Sequence, residues 1–462
     1  MKAVKLLTTL VLCALCGGGP SPLRAAESDA QAAEKWKDLM SREDPAAAQA
    51  AQEAVLAACG GRVEVLRTLI QADTVYERFP SGWQKSSLNI GEGRDAYAAE
   101  FFFRVPPGYD GGKPLPVLLS AHGTGGDGRG FGRHVESLLG PACDSYVLLC
   151  PTMPGPHAFN SRSYQEQAYL APLAWLRRRL NVDDDRIYVT GYSIGGHMSW
   201  HLGTLFPQVF AAAVPMAGMP AFEGGPPTAT AYFENLAHLP LWAIWGEKDR
   251  VAPPARGIAD SCQEAAARLK ELGNRNFTFT ELPGVGHGNA LPPPGRLAAY
   301  LATHKRTVAP ARTAHLFHMP HHARCYYLQA MKFAHPPIDF ARGVSFRLPP
   351  GEKPTEQLVD KMVRKESDRL MYRMYGEIDA AANTITVKAA GVSSVRVFVL
   401  QGMLDLDRPV KLRFWGRSWT GKVPASAACA LAHYAATRDQ TALVLNEIDV
   451  DINGRATVRY AK

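Results

Sequence analysis

The chain has 462 residues, 46% hydrophobic and 20% charged, with 41 glycines, eight cysteines and a formal net charge of +8. At about 150 residues per domain this length allows roughly three domains, and the composition excludes a disordered chain, a collagen-like repeat and a disulfide-stapled miniprotein. The charge is scattered, and its one triplet, Arg177-Arg178-Arg179, forms a solvated face of the amphipathic stretch AYLAPLAWLRRRL, so no nucleic-acid partner is expected.

Residues 1–25 read as a signal peptide. Lys2 and Lys5 precede an apolar run from Leu6 to Leu15, and Leu23-Arg24-Ala25 ends on a small residue suited to cleavage. That run is about half of what a bilayer span requires, so no membrane span is expected and the destination is secreted or periplasmic. Losing the signal lowers the net charge to +5 and removes Cys13 and Cys16. Six cysteines remain for an oxidising compartment, with 15 possible pairings. Cys143 and Cys150 flank the strand-like SYVLLC. A strand holds them about 20 Å apart, too far to pair with each other.

Residues 26–90 are expected to form a short helical N-terminal prefix. Trp36, Leu39 and Met40, then Val55, Leu56 and Cys59, then Val63, Leu66, Leu69 and Ile70 recur at helical spacing. The stretch FFFRVPPGYDGGKPLP follows as a turn between strands. Over 91–308 the apolar runs PVLLSAHG, SYVLLCP, DRIYVTG, FAAAVPMAG, PLWAIWG and FTFTELPG alternate with helix-like segments such as 164–180, 195–206 and 256–273. This pattern predicts an α/β unit with a mostly parallel sheet covered on both faces. Residues 309–339 read as a linker, and 340–462 as a smaller β-rich accessory domain carrying one clear helix at 424–437.

In alternating β/α proteins, reactive residues belong in loops just past the carboxyl ends of strands. RIYVT runs into Gly191-Tyr192-Ser193-Ile194-Gly195, the G-x-S-x-G pattern of a sharp strand-to-helix turn, which makes Ser193 the candidate nucleophile. A hydroxyl needs a base, and imidazole has suitable basicity; a carboxylate must then hold its tautomer. Asp249 follows LWAIWG and His287 follows FTFTELPG, in the chain order Ser, Asp, His, 56 and 38 residues apart. The loop His122-Gly123-Thr124-Gly125-Gly126 follows PVLLSA. Its backbone supplies oxyanion-hole candidates, Thr124 first and Gly123 next, alongside the N–H of Ile194.

Other reactive side chains receive structural readings. Asp183, Asp184 and Asp185 lie at the wrong end of their strand and are expected in a solvated turn; Asp260 is expected as surface charge on a helix. His197 and His201, four apart on the helix after Ser193, are expected to pack or face solvent. His315, His318, His321 and His322 have no carboxylate beside them and Pro320 among them, so a flexible linker is expected. No metal and no cofactor are expected. Trp200, Trp242 and Trp245 offer themselves as a sugar- or phenol-binding cleft, but Trp242 and Trp245 lie within a predicted central strand and are expected in the core.

Four passages, RVPPGYDGGKPLPVLLSAHGTGG, DDDRIYVTGYSIGGHMSWHLGTLFPQVFAAAVPMAG, LWAIWGEKDRVAPP and LPGVGHG, resemble the α/β-hydrolase superfamily over residues 95–305. The similarity is to secreted bacterial esterases such as polyhydroxybutyrate depolymerases and feruloyl esterases, and to compact prolyl-oligopeptidase-like hydrolases. It implies nucleophile, acid and base at Ser193, Asp249 and His287, and it does not extend to the prefix or the C-terminal domain. The expected function is hydrolysis of small-molecule or polymer-linked carboxylic esters through an acyl-enzyme intermediate, with the C-terminal domain as a candidate polysaccharide-binding module. The alternatives are a serine peptidase of prolyl-oligopeptidase-like type and a non-catalytic binding protein on the same fold. A gated peptidase is disfavoured because only 65 residues separate the signal from the hydrolase-like region. The short connection between MAGMP and PLWAIW leaves no room for a large lid, which predicts an open site.

Overall fold

The structure, a computed structural model, describes residues 22–42, 45–72, 76–93, 96–153, 163–222, 229–252 and 256–460. Residues 1–21 of the expected signal, and Glu223–Pro227 of the short connection, lie outside the described residues. Three helices come first: α1 (Pro22–Met40), α2 (Pro45–Cys59) and α3 (Val63–Gln71). There follow β1 (Gly82–Ile90), β2 (Tyr97–Val105), β3 (Leu115–Ala121), α4 (Gly128–Leu139), β4 (Val147–Pro151), α5 (Ser163–Arg179), β5 (Val182–Tyr192) and α6 (Ile194–Leu205). The unit closes with β6 (Ala212–Met216), β7 (Leu241–Gly246), α7 (Ile258–Glu271), β8 (Phe277–Leu282) and α8 (Arg296–Ala302).

These strands form one eight-stranded sheet in the order β1-β2-β4-β3-β5-β6-β7-β8. The six strands from β4 to β8 run parallel, and β1 and β2 add an antiparallel edge. This is the α/β-hydrolase fold with its mostly parallel sheet. β4 and β6 are buried at every residue and β3 at all but the first, because helices cover both faces. β1 corrects the expected boundary of the prefix at residue 90. Its sequence GWQKSSLNI is mostly polar, as suits an edge strand, and its pairing with β2 from Gly82 opposite Val105 to Ile90 opposite Tyr97 depends on a partner elsewhere in the chain.

The C-terminal part contains β9 (Arg312–Phe317), β10 (Arg324–Cys325), β11 (Leu328–Phe333), α9 (Glu356–Leu370), β12 (Tyr372–Asp379), β13 (Thr384–Ala390) and β14 (Val392–Leu400). It ends with β15 (Val410–Phe414), β16 (Arg417–Gly421), α10 (Ala427–Thr437), β17 (Val444–Asp451) and β18 (Ala456–Val458). Two five-stranded sheets, β10-β11-β14-β17-β18 and β16-β15-β13-β12-β9, share one apolar core that joins Leu328, Val395 and Val397 to Phe317, Met374 and Ile385. The stretch expected as a linker, 309–339, therefore supplies strands to both sheets. β9 pairs with β12 and β11 with β14, partners about sixty residues ahead that no local pattern announces. Helix α9 also escapes the sequence reading, since EQLVDKMVRKESDRL is largely polar and buries only Ser367.

The prefix packs on α10 rather than on the hydrolase sheet. Ala32, Trp36, Leu66 and Ile70 share a cluster with Ala430, Leu431 and Tyr434, and the Trp36 and Tyr434 rings lie 5.4 Å apart. Asp183–Asp185, expected in a solvated turn, instead form the start of β5. Asp184 is buried, paired with Arg177 at 2.8 Å, and accepts the Gln440 N–H at 2.9 Å. Nearby, Arg306 donates two bonds to Asp439 at 2.7 and 2.9 Å in a buried fork that ties the hydrolase unit to the C-terminal sheets. All six cysteines among the described residues are buried free thiols. Among these residues, no helix is long and apolar enough to cross a membrane.

Candidate active site

Ser193 occupies the single residue between β5 and α6, at φ 59° and ψ −119°, a strained conformation for a residue with a side chain. The glycines around it are steric requirements. A Cβ on Gly191 would lie 2.2 Å from the Gly195 carbonyl oxygen, one on Gly195 would lie 1.9 Å from that of Ala121, and one on Gly196 would lie 2.4 Å from that of Met216. The turn is pinned from β6, where the Met216 carbonyl accepts the Ser193 N–H at 3.0 Å.

The loops after β7 and β8 are laced together. The Val285 carbonyl accepts the Lys248 N–H at 2.8 Å, and the Glu247 carboxylate accepts the Gly284 N–H at 2.6 Å. This lacing brings Asp249 and His287 to one rim of the sheet. His287 Nδ1 lies 2.8 Å from Asp249 Oδ2, and His287 Nε2 lies 2.9 Å from Ser193 Oγ. A carboxylate only accepts, so the Nδ1 proton points at Asp249, and Nε2 is left to accept the serine O–H. The Asp249 side chain is 14% exposed while that of His287 is 44% exposed, so the imidazole is the more solvent-accessible of the pair.

The glycine-rich loop after β3 runs directly against this turn. A Cβ on Gly123 would meet the Tyr192 carbonyl oxygen at 3.2 Å and the Ser193 Cβ at 3.3 Å. Thr124 follows and is exposed. Ile194 is the first residue of α6, where helix N–H groups have no intrahelical acceptor. Gly123 and Ile194 thus flank Ser193, and Thr124 adjoins Gly123.

Two positioning side chains were not singled out by sequence. His122 is buried, and its Nε2 accepts the Met153 N–H at 2.8 Å. Its proton is therefore on Nδ1, which donates at 2.7 Å to the Gly123 carbonyl, an oxygen that also accepts the Gly126 N–H at 3.2 Å. Tyr192 donates its hydroxyl to the His287 carbonyl. The signal for both was adjacency: one precedes the glycine loop and the other precedes the nucleophile.

The remaining candidates fall elsewhere. Asp260 on α7 pairs with Arg250 at the surface. Trp200 and Trp245 are fully buried and Trp242 is half-buried with its N–H on Thr280, which places them in the core. Burial lowers the basicity of His197, whose Nδ1 lies 2.9 Å from the Met219 carbonyl. The histidines at 315–322 correct the flexible-linker expectation. His315 belongs to β9, and His315, His318 and His322 are buried. The missing carboxylate comes from Glu166 of α5, far earlier in the chain. Two side-chain groups among the described residues have spacing suited to a metal ion, Glu166-His201-His322 and Cys429-His433-Glu447.

Residues 157–311 match the Dienelactone hydrolase family. Among curated proteins, the chain is 23% identical over 237 residues to "Probable feruloyl esterase C" of Aspergillus flavus, covering 48% of this chain and 84% of that protein. It is 29% identical over 132 residues to "Poly(3-hydroxyalkanoate) depolymerase C" of Paucimonas lemoignei, covering 26% of this chain and 31% of that one. Among solved structures, a thermostable esterase aligns at 21% identity and TM-score 0.38, covering 48% of this chain and 63% of its own. The resemblance to α/β-hydrolase esterases is borne out by the family match and the curated relatives.

Proposed function

We propose that the chain is a serine hydrolase that cleaves carboxylic esters through an acyl-enzyme intermediate. The observation that carries this reading is the unbroken hydrogen-bonded chain from Asp249 through His287 to Ser193. In it, His287 Nε2 takes the Ser193 proton as Oγ attacks the acyl carbon, and Asp249 stabilises the imidazolium that forms. The proton then passes to the leaving alkoxide, and water repeats the sequence on the acyl-enzyme. The N–H groups of Ile194 and Thr124, with Gly123 next, receive the negative charge that develops on the carbonyl oxygen. The catalytic unit runs from β1 to α8.

Ester chemistry is favoured over peptide chemistry by the names of the relatives, and the His287 side chain, 44% exposed, is open to a bulky alcohol or acyl group. An apolar recess of about 230 Å³, lined by Met219, Pro220, Phe222, Phe233 and Ala265, lies beside the loop after β6 and suits an acyl or aryl group. The leader at residues 1–25 makes the enzyme secreted or periplasmic in this reading, and the C-terminal sheets hold it on a polysaccharide. Fluorophosphonate labelling and p-nitrophenyl acetate turnover test the proposal. Both are expected in the wild type and lost in Ser193→Ala. A wild type that fails to label overturns it, and turnover of peptide anilides without esters promotes the peptidase.

A further inference from the structure

Glu166 projects from α5 into a site that is 1% exposed at its side chain, and imidazoles converge on it. His201 Nε2 from α6 and His322 Nε2 from the turn Pro320–His322 each lie 2.6 Å from the same oxygen, Oε1. His321 Nε2 lies 3.2 Å from the other, Oε2. The side chains of His201 and His322 are 2% and 0% exposed. The rings of Phe222 and Phe206 pack on His201 and His322 at 5.5 Å, giving the cluster apolar walls.

A buried carboxylate requires compensation, and neutral imidazoles supply hydrogen bonds but no charge. Two ring nitrogens at 2.6 Å from one oxygen are closer than ordinary N–H···O bonds. The missing charge fits a divalent cation. Imidazole and carboxylate are zinc ligands at about 2.0–2.2 Å, which separates ligand atoms in a tetrahedral shell by about 3.3 Å. His201 and His322 Nε2 need to move about 0.7 Å away from Oε1 to reach that spacing. The second group, Cys429-His433-Glu447, is a poorer candidate because Arg396 and Arg459 already sit on its carboxylate at 2.9 and 3.5 Å.

We propose that Glu166, His201 and His322 bind a zinc ion, with His321 closing the fourth position, and that this ion clamps the C-terminal part onto the helix that begins at the nucleophile. The expectation of no metal, drawn from sequence, is the one this proposal replaces. The ion is structural. His201 lies eight residues beyond Ser193, about 12 Å along α6, too far for one scissile carbonyl to touch both. Glu166, His201 and His322 are buried, and His321, 27% exposed at its side chain, takes the position that substrate or water would otherwise occupy.

The test is metal analysis of the full chain, expressed with zinc and dialysed. About one zinc per chain is expected in the wild type, falling to about a tenth of that or less in Glu166→Gln and His322→Ala. Should those variants fail to fold, wild-type protein stripped with a strong chelator is titrated with cobalt. Tetrahedral visible bands that zinc abolishes, and recovery of the lost thermal stability, are expected. Ser193→Ala keeps its zinc in full while losing fluorophosphonate labelling, so failure of the hydrolase reading is separable from failure of the site. Wild type without stoichiometric metal and no uptake by stripped protein overturns the proposal, as does unchanged uptake in a folded Glu166→Gln. Recovery of iron or copper in place of zinc overturns the assignment of the ion.

Discussion

His122 shows how one side chain serves chemistry it never touches. Its Nδ1 proton holds the Gly123 carbonyl and its Nε2 is held by the Met153 amide, so the glycine loop has a fixed orientation before substrate arrives. His122→Ala frees that loop, and a fall in kcat of about a hundredfold with KM little changed is expected, the scale of losing one oxyanion donor. Steady-state kinetics on p-nitrophenyl acetate check this, and an unchanged kcat refutes the positioning role. Asp249→Asn leaves the geometry intact but presents the wrong tautomer to Ser193, with an expected loss of about 10⁴ in kcat. His197 titrates in the opposite sense to a paired histidine. Burial depresses its folded pKa below the usual 6.5, so its contribution to stability is complete above that value and is lost as pH falls through the folded pKa. His197→Gln is expected to flatten the acid limb of a Tm-against-pH profile.

At the scale of elements, the turn between β5 and α6 depends on the closeness of β3 and β6. A methyl on Gly195 would lie 1.9 Å from the Ala121 carbonyl oxygen, and backbone cannot yield as a flexible side chain does. Gly195→Ala is therefore expected to cost several kcal/mol, on the scale of severe overpacking (about 1–3 kcal/mol or more), and to abolish labelling of Ser193. Denaturant unfolding measures the first effect and the fluorophosphonate the second. The edge strand β9 is managed by a neighbouring side chain: Asn235 donates to the Leu316 carbonyl and accepts the Leu316 N–H at 2.9 and 2.7 Å. This caps a sheet edge that would otherwise invite pairing with another chain.

For the whole molecule, the two ends of the chain and its middle meet through buried contacts. The Arg306–Asp439 fork is nearly dry, with the Arg306 side chain 3% exposed. Asp185 at 3.5 Å and Thr441 remain beside Arg306 when Asp439 is neutralised, so Asp439→Asn is expected to destabilise by less than the about 3–5 kcal/mol of a fully stranded buried charge, readable as a lowered denaturant midpoint. A truncation before residue 73 is expected to expose Leu431 and Tyr434 of α10 and lower Tm, since α1–α3 cover them. A cut at residue 340 would leave β9 and β11 without β12 and β14.

What the residues determined alone was periodic or local. The apolar runs of β3 to β7 announced a covered parallel sheet, and three short loop patterns named Ser193, Asp249 and His287. Both follow from rules that act within a few neighbours: burial on both faces makes a strand apolar throughout, and a tight turn demands glycine. Only the tertiary structure decided where polar segments belong. β1 and β9 look like solvent-facing chain until a distant partner is known, because backbone hydrogen bonds carry no side-chain signature, and α9 is hidden because it buries only Ser367. The same holds for the histidines at 321 and 322, whose carboxylate lies on α5 in the first half of the chain. Charge pairing acts through space and leaves no mark on sequence spacing.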